Sequence, residues 1–167
     1  MIPSDHFVKF YAEVFKYLQK RGQKAIDDYY TTIAEHQKTH SLKLFREKGL
    51  AGMKEYWDRI IFEENCDADA LLDEGKCYSF YMHGCPSLGK VLDNDAGPCD
   101  IYCNHCPGWV LPLMSAAGFY CVYDLVRQDV PRCILKAFAN LEDARAYREV
   151  VRKRHPKHPE LEMSNFD

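Results

Sequence analysis

The sequence predicts an α+β protein in which N-terminal helices pack on a small antiparallel sheet, with a cysteine-bearing helix and a C-terminal helix completing the layers. Two observations carry this expectation. Apolar residues recur at helical spacing from Phe7 to about Ile61, the pattern of a helix with one buried stripe. Beyond Cys66 the chain turns to short aromatic and β-branched runs separated by turn residues, which is how strands read.

The first element is predicted from Ser4, a residue type that caps helices, with Asp5 in the first turn. Its stripe is Phe7, Phe10, Tyr11, Val14, Phe15 and Leu18, resuming at Ile26, Tyr29, Tyr30 and Ile33. Gly22 falls on the stripe and marks a break or a close approach. Leu50, Met53, Trp57, Ile60 and Ile61 repeat the spacing and predict another helix. Lys76–His83, with Asp73-Glu74-Gly75 before it and Gly84 after it, predicts a strand. Gly118 closes an apolar run from Trp109 to Ala117, as a glycine just past a helix end does. Strands at 119–127 and 132–138 follow, joined through Gln128-Asp129-Val130-Pro131 as an antiparallel hairpin. Asn140 caps a last helix with Asp143 at its third position, running to about Arg154. The expected organisation is one domain over 1–154: a helical layer at about 4–65, a cysteine-rich part at about 66–140 and a helix at about 141–154. Residues 155–167 then form a loose tail.

Composition narrows the function classes. The 167 residues suffice for one sizeable core, and 47% hydrophobic with 28% charged residues is a globular balance. A formal net charge of −3 removes the electrostatic reason to expect a nucleic-acid partner. The basic run Arg145–Lys157 reads as a solvated helix face. No stretch is apolar for long enough to cross a bilayer, and the N-terminus has no basic-then-apolar leader pattern. The expected setting is cytoplasmic, with a small-molecule substrate or ligand as partner and a homo-oligomer open. The eight cysteines, none before Cys66, then read as reduced thiols rather than a disulfide framework.

The chemistry concentrates between His83 and Cys133. Cys99, Cys103, His105 and Cys106 fall within eight residues, and thiolate and imidazole are the ligands of zinc and iron–sulfur centres. The spacing of Cys99, Cys103 and Cys106 would put them on one helix face. A different reading is nucleophilic. Cys106 precedes Pro107, and proline favours the first helical position, so Cys106 is expected to cap a helix whose dipole favours the thiolate. His105 or His83 would then act as acid or base. Pro112 interrupts that helix or moves its start. Cys85, just past the first strand, and Cys133, alternating with Leu135 and Ala137 toward the helix-covered face, are expected to join Cys106. Arg132 is the nearest cation for an anionic substrate. Asp124, inside a strand, would orient a histidine, bind a polar substrate group, or simply lie exposed at a sheet edge, and Trp109 would help to wall the pocket. Asp93, Asp95 and Asp100 surround a polar loop without the ligand series of a calcium site and read as a solvated turn.

At these residues the sequence resembles the L-2-amino-thiazoline-4-carboxylic acid hydrolase family. The likeness lies in the order of features over roughly 50–140: a strand ending at Cys85-Pro86, a helix start bearing Cys103 and Cys106, a helix ended by Gly118, and a closing strand with Cys133 and Phe138. The resemblance implies hydrolytic opening of a C–N or C–S bond in a small cyclic amino acid, giving an N-carbamoyl-cysteine type product. Pro131-Arg132 stands where a Gly/Asp-rich turn is expected for that family, and Cys99 together with Cys103 or Cys106 are extra cysteines. The same arrangement looks, more distantly, like vinyl-reductase-type ligand-sensing domains. That likeness implies a module binding a small molecule or a metal, with zinc or an iron–sulfur cluster held by Cys85, Cys99, Cys103 and Cys106, or with Cys133 in place of Cys99. A structural zinc site is the third reading.

Overall fold

A computed structural model describes residues 3–93, 97, 99–127 and 130–167, without the side chains of Pro3 and Ser4. Its order is α1 (Pro3–Arg21), α2 (Gln23–Gln37), a π turn (Lys38–Leu42), α3 (Lys43–Glu63), β1 (Asp67–Asp73), β2 (Cys77–Gly84), α4 (Pro86–Asp93), a 3-10 turn (Tyr102–Asn104), α5 (His105–Ala117), β3 (Tyr120–Arg127), β4 (Arg132–Phe138), α6 (Leu141–Arg154), a second 3-10 turn (Pro159–Leu161) and β5 (Glu162–Ser164). Among the described residues the strands form one antiparallel sheet ordered β1-β2-β4-β3-β5. The class is α+β, as the spacing predicts. No helix of the described residues is long and apolar enough to cross a membrane.

The helical layer is punctuated by glycine. Gly22 separates α1 from α2 at φ 93°, a region costly for a side chain. Gly49 kinks α3 at φ 59°. Asn140 caps α6, its Oδ1 accepting the Asp143 N–H at 2.8 Å. Gly118 ends α5 in the left-handed region. Helix α1 already runs from Pro3, and the capping expected of Ser4 concerns a side chain outside the described residues. So do Gln128 and Asp129 of the hairpin turn and Asp95 of the polar loop.

Three elements differ from the sequence expectation. β1 reads DADALLD, whose acidic residues conceal a strand by propensity; it forms because it is a sheet edge paired with β2. α4 starts at Pro86 and is only eight residues long. The tail is not loose. β5 pairs with β3, and Asn165 Oδ1 accepts the Cys121 N–H at 2.7 Å. Asn165 Nδ2 donates to Ser115 Oγ and to the Phe119 carbonyl, both at 2.8 Å. Arg148 donates to the Phe166 carbonyl at 2.9 Å. The arginines of the basic run are spent on such internal contacts, which their spacing alone does not show.

Two apolar clusters meet at α5. One lies between the sheet and α3 and α5, with Phe45, Met53, Tyr78, Phe80, Met114, Tyr123 and Leu135 at its centre. The other lies among α1, α2 and α4, around Phe15, Tyr30, Leu88, Val91 and Tyr102. Cys103 and Trp109 pack against both. Helices α2 and α5 approach closely because Gly108 has no side chain: a Cβ there would lie 2.4 Å from Tyr30 Cδ2.

Candidate functional site

Four sulfurs from three parts of the chain reach one place. Cys103 comes from the 3-10 turn before α5 and Cys106 from the first turn of α5, Cys85 from the residue before α4, and Cys133 from β4. They line a narrow chamber of about 30 Å³ together with Leu88, Tyr102, His105, Tyr123, Leu125 and Arg132. All eight cysteines of the chain are free thiols. The alternation of β4 puts Cys133 on the same face as Leu135 and Ala137, and that of β3 puts Tyr123 and Leu125 beside it.

The chamber adjoins a second cavity of about 210 Å³ between the sheet, α3 and α5. Its walls are mostly apolar and include Tyr56, Trp57, Phe80, Met82, Trp109 and Leu135. Cys85, Cys106, Tyr123 and Cys133 line both spaces. Trp57 is stacked between Phe45 and Tyr78, each at 5.5 Å between ring centroids, so this wall is held by packing rather than by a loop.

Local structure reverses the roles expected of the two Cys-Pro pairs. Asn104 stands at the cap of α5 and His105 is its first residue, so Cys106 lies inside the first turn. Cys85 takes the capping place instead: its Sγ accepts the Leu88 N–H of α4 at 3.5 Å. Its own N–H donates to the Pro131 carbonyl at 2.6 Å, tying the end of β2 to the β3–β4 connection.

Burial holds the Cys103, Cys106 and Cys133 thiols protonated. It drives the Cys106 thiol well above the ordinary range, and the neighbouring sulfurs of Cys85, Cys133 and Cys103 add to the effect. Cys103 is pushed up to about 12 by burial and then by Cys85 and Cys99. Cys133 is pushed up to about 12 by burial, with Cys85, Cys103 and Asp124 contributing. An activated Cys106 thiolate is therefore corrected: the low-dielectric setting outweighs the helix dipole.

His105 is caged by aromatic rings. Phe15 stacks on it at 5.3 Å, Tyr102 meets it at 5.1 Å and Trp109 at 4.8 Å. Its Nδ1–H donates to the Tyr102 carbonyl in a close contact. Burial lowers its pKa to about 4, against that bond's opposing effect. The ring is thus neutral at physiological pH, with the Nε2 lone pair left unprotonated. Tyr102 is itself fixed by a 2.7 Å hydrogen bond between its hydroxyl and Ser87.

The remaining candidates divide. Arg132 lies exposed at the rim of the thiol chamber, and Trp109 walls the larger cavity. His83 does not join the site: its Nε2 pairs with Asp69 at 2.9 Å on an exposed part of the sheet. Cys99 packs in the α1–α2–α4 cluster and does not line the chamber. Asp124 lies between Tyr123 and Leu125 in sequence and so points through the opposite face of the sheet. It is fully buried, accepts from Val126 N and His155 Nε2 at 2.8 Å each, and pairs with Arg154. Asp124 does orient a histidine, but away from the thiols. Sequence reasoning missed Tyr123 and Tyr102 as site walls; their place in a strand and a turn flanking cysteines was the available signal.

The donor set is soft, yet among the described residues no three His, Cys, Asp or Glu side chains stand close enough to hold a metal ion. The arrangement as built is a small thiol- and phenol-lined chamber sharing a wall with an aromatic cavity, with the exposed Arg132 among the chamber's lining residues. Comparison of the chain with known protein families, with curated proteins and with solved structures returns no match.

Proposed function

We propose that the chain is a small-molecule-binding module whose ligand enters past Arg132 and lodges its apolar body against Trp57, Phe80 and Trp109. The observation that carries this reading is the shared wall: Cys85, Cys106, Tyr123 and Cys133 line both the thiol chamber and the aromatic cavity. A site of this kind binds by apolar burial, with a few polar groups setting orientation. Arg132 supports a ligand with one anionic group, because a guanidinium matches a carboxylate in geometry and charge.

Isothermal calorimetry with benzoate, phenylacetate and benzyl alcohol tests this. The two carboxylates should bind with a negative heat-capacity change, the marker of apolar burial. Arg132→Ala should weaken them about tenfold while leaving benzyl alcohol unchanged. Absence of binding by all three at millimolar concentration would overturn the reading.

A hydrolase resembling the L-2-amino-thiazoline-4-carboxylic acid hydrolases is the second reading, favoured by one observation: Cys85 Sγ accepts a helix N–H. Cys85, rather than Cys106, is then the candidate nucleophile, with neutral His105 as proton acceptor. Turnover of 2-amino-thiazoline-4-carboxylate that disappears in Cys85→Ala and survives in Cys106→Ala would support it.

A further inference from the structure

Helix α1 is apolar on two faces, and among the described residues only one of them is covered. Val8, Ala12 and Phe15 are buried against α2 and α4. Phe7 is 64%, Phe10 65% and Tyr17 56% exposed. With half-buried Val14 and with Arg21, these residues recur at intervals of three and four: 7, 10, 14, 17 and 21. That is the seam of a two-helix coiled coil, and isolated exposed aromatics do not fall into such a register by packing against their own chain. Tyr11, 38% exposed, widens the seam on one side. Glu13 and Lys20 edge it on the other, one heptad apart.

We infer that α1 is a self-association surface, pairing antiparallel with α1 of a second copy about a two-fold axis. Charge selects the occupant and the register. When Val14 faces Tyr17 of the second copy, Phe10 faces its Arg21, and Glu13 faces its Lys20; the two-fold axis repeats each contact. Arg21 already lies over the Tyr17 ring of its own chain at 5.2 Å from the centroid, so its guanidinium sits where a second aromatic ring can sandwich it. Glu13 is bound by Lys16 at 2.7 Å through one oxygen only and its side chain stays 71% exposed, which leaves the other oxygen for a cation across the seam. Opposed helix dipoles favour the antiparallel sense, and the contact is isologous and closed, so it ends at a dimer.

Sedimentation equilibrium of the full chain tests the inference. The wild type should reach twice its 19.4 kDa mass, and Phe10→Glu should remain a monomer. Glu13→Lys or Lys20→Glu alone should weaken the dimer about tenfold, and the two together should restore it to within about threefold. Because these side chains are exposed, the circular dichroism and thermal midpoint of the Phe10→Glu monomer should match those of dilute wild type. A wild type that stays monomeric at hundreds of micromolar overturns the inference. So does a dimer that survives Phe10→Glu. So does a monomer that floats with anionic phospholipid vesicles, which would assign the stripe to a membrane surface. Failure here leaves the cavity reading untouched, since the stripe and the thiol chamber share no residue.

Discussion

Cys85 and Cys106 each precede a proline and open onto the same chamber, but only Cys85 caps a helix. Its sulfur accepts the Leu88 N–H at 3.5 Å, whereas Cys106 lies one residue inside α5 with its thiol desolvated. Labelling should follow this difference. At pH 8 a thiol whose pKa is about 12 is thiolate at a fraction on the order of 10⁻⁴, which describes Cys103 and Cys133. Iodoacetamide should therefore modify Cys103, Cys106 and Cys133 at least about a hundredfold more slowly in the native protein than in urea. Of the four chamber thiols, Cys85 should react first. Peptide mapping of a time course reads the order, and Cys106 reacting first would contradict it.

Stability should fall on both sides of neutrality. The His105 pKa drops from 6.5 to about 4 on folding, so the unfolded chain takes up a proton that the native chain refuses. Stability is lost as pH falls from 6.5 toward 4, by up to about 3 kcal/mol from this group. Cys103 and Cys133 rise from 9.0 to about 12. There the unfolded chain releases protons that the native chain keeps, and stability is lost as pH climbs from 9 toward 12. Urea titrations at stepped pH check both slopes; His105→Gln should flatten the acid one only.

Gly108→Ala should cost about 1–3 kcal/mol. The added Cβ meets the Tyr30 ring at 2.4 Å, and α5 must move away from α2, taking His105 and Cys106 with it. In a Tyr30→Ala background the same substitution should cost much less. A double-mutant cycle by thermal unfolding measures that coupling, and additive effects would refute the close approach.

Asp124→Asn should destabilise the fold by about 1–3 kcal/mol, because the buried carboxylate loses its charge-assisted bonds to Arg154 and His155 while Arg154 stays partly solvated. Ligand affinity should be unchanged in the protein that remains folded, since Asp124 faces the far side of the sheet from the cavity. Loss of binding without loss of stability would reverse that assignment.

How much of this was legible beforehand depends on range. Helical periodicity around Phe15 and Trp57, the strand read at 76–83 and found at Cys77–Gly84, the hairpin and the Asn140 cap follow from local rules, and they appear in the fold. The meeting of Cys85, Cys106 and Cys133 was legible through strand alternation. The charge state of Cys106 was not, because a capping rule is local and desolvation is not: it comes from Tyr123, Leu125 and the neighbouring sulfurs folding over it. β1 escaped because pairing with β2, not composition, makes it a strand. The place of Asp124 was open because a strand residue declares its parity but not which face holds the site. β5 and the pinned C-terminus rest on Asn165 and Arg148, polar residues whose partners lie far away in sequence.

The central claim is that the thiol chamber and the aromatic cavity form one ligand site. Trp57 and Trp109 are the chain's only tryptophans, and both line that cavity. Titrating phenylacetate into Trp57→Phe and Trp109→Phe while following emission of the remaining indole is the most direct test. Both variants should change emission with dissociation constants close to the calorimetric value; an indole that stays blind to saturating ligand in both would contradict the claim.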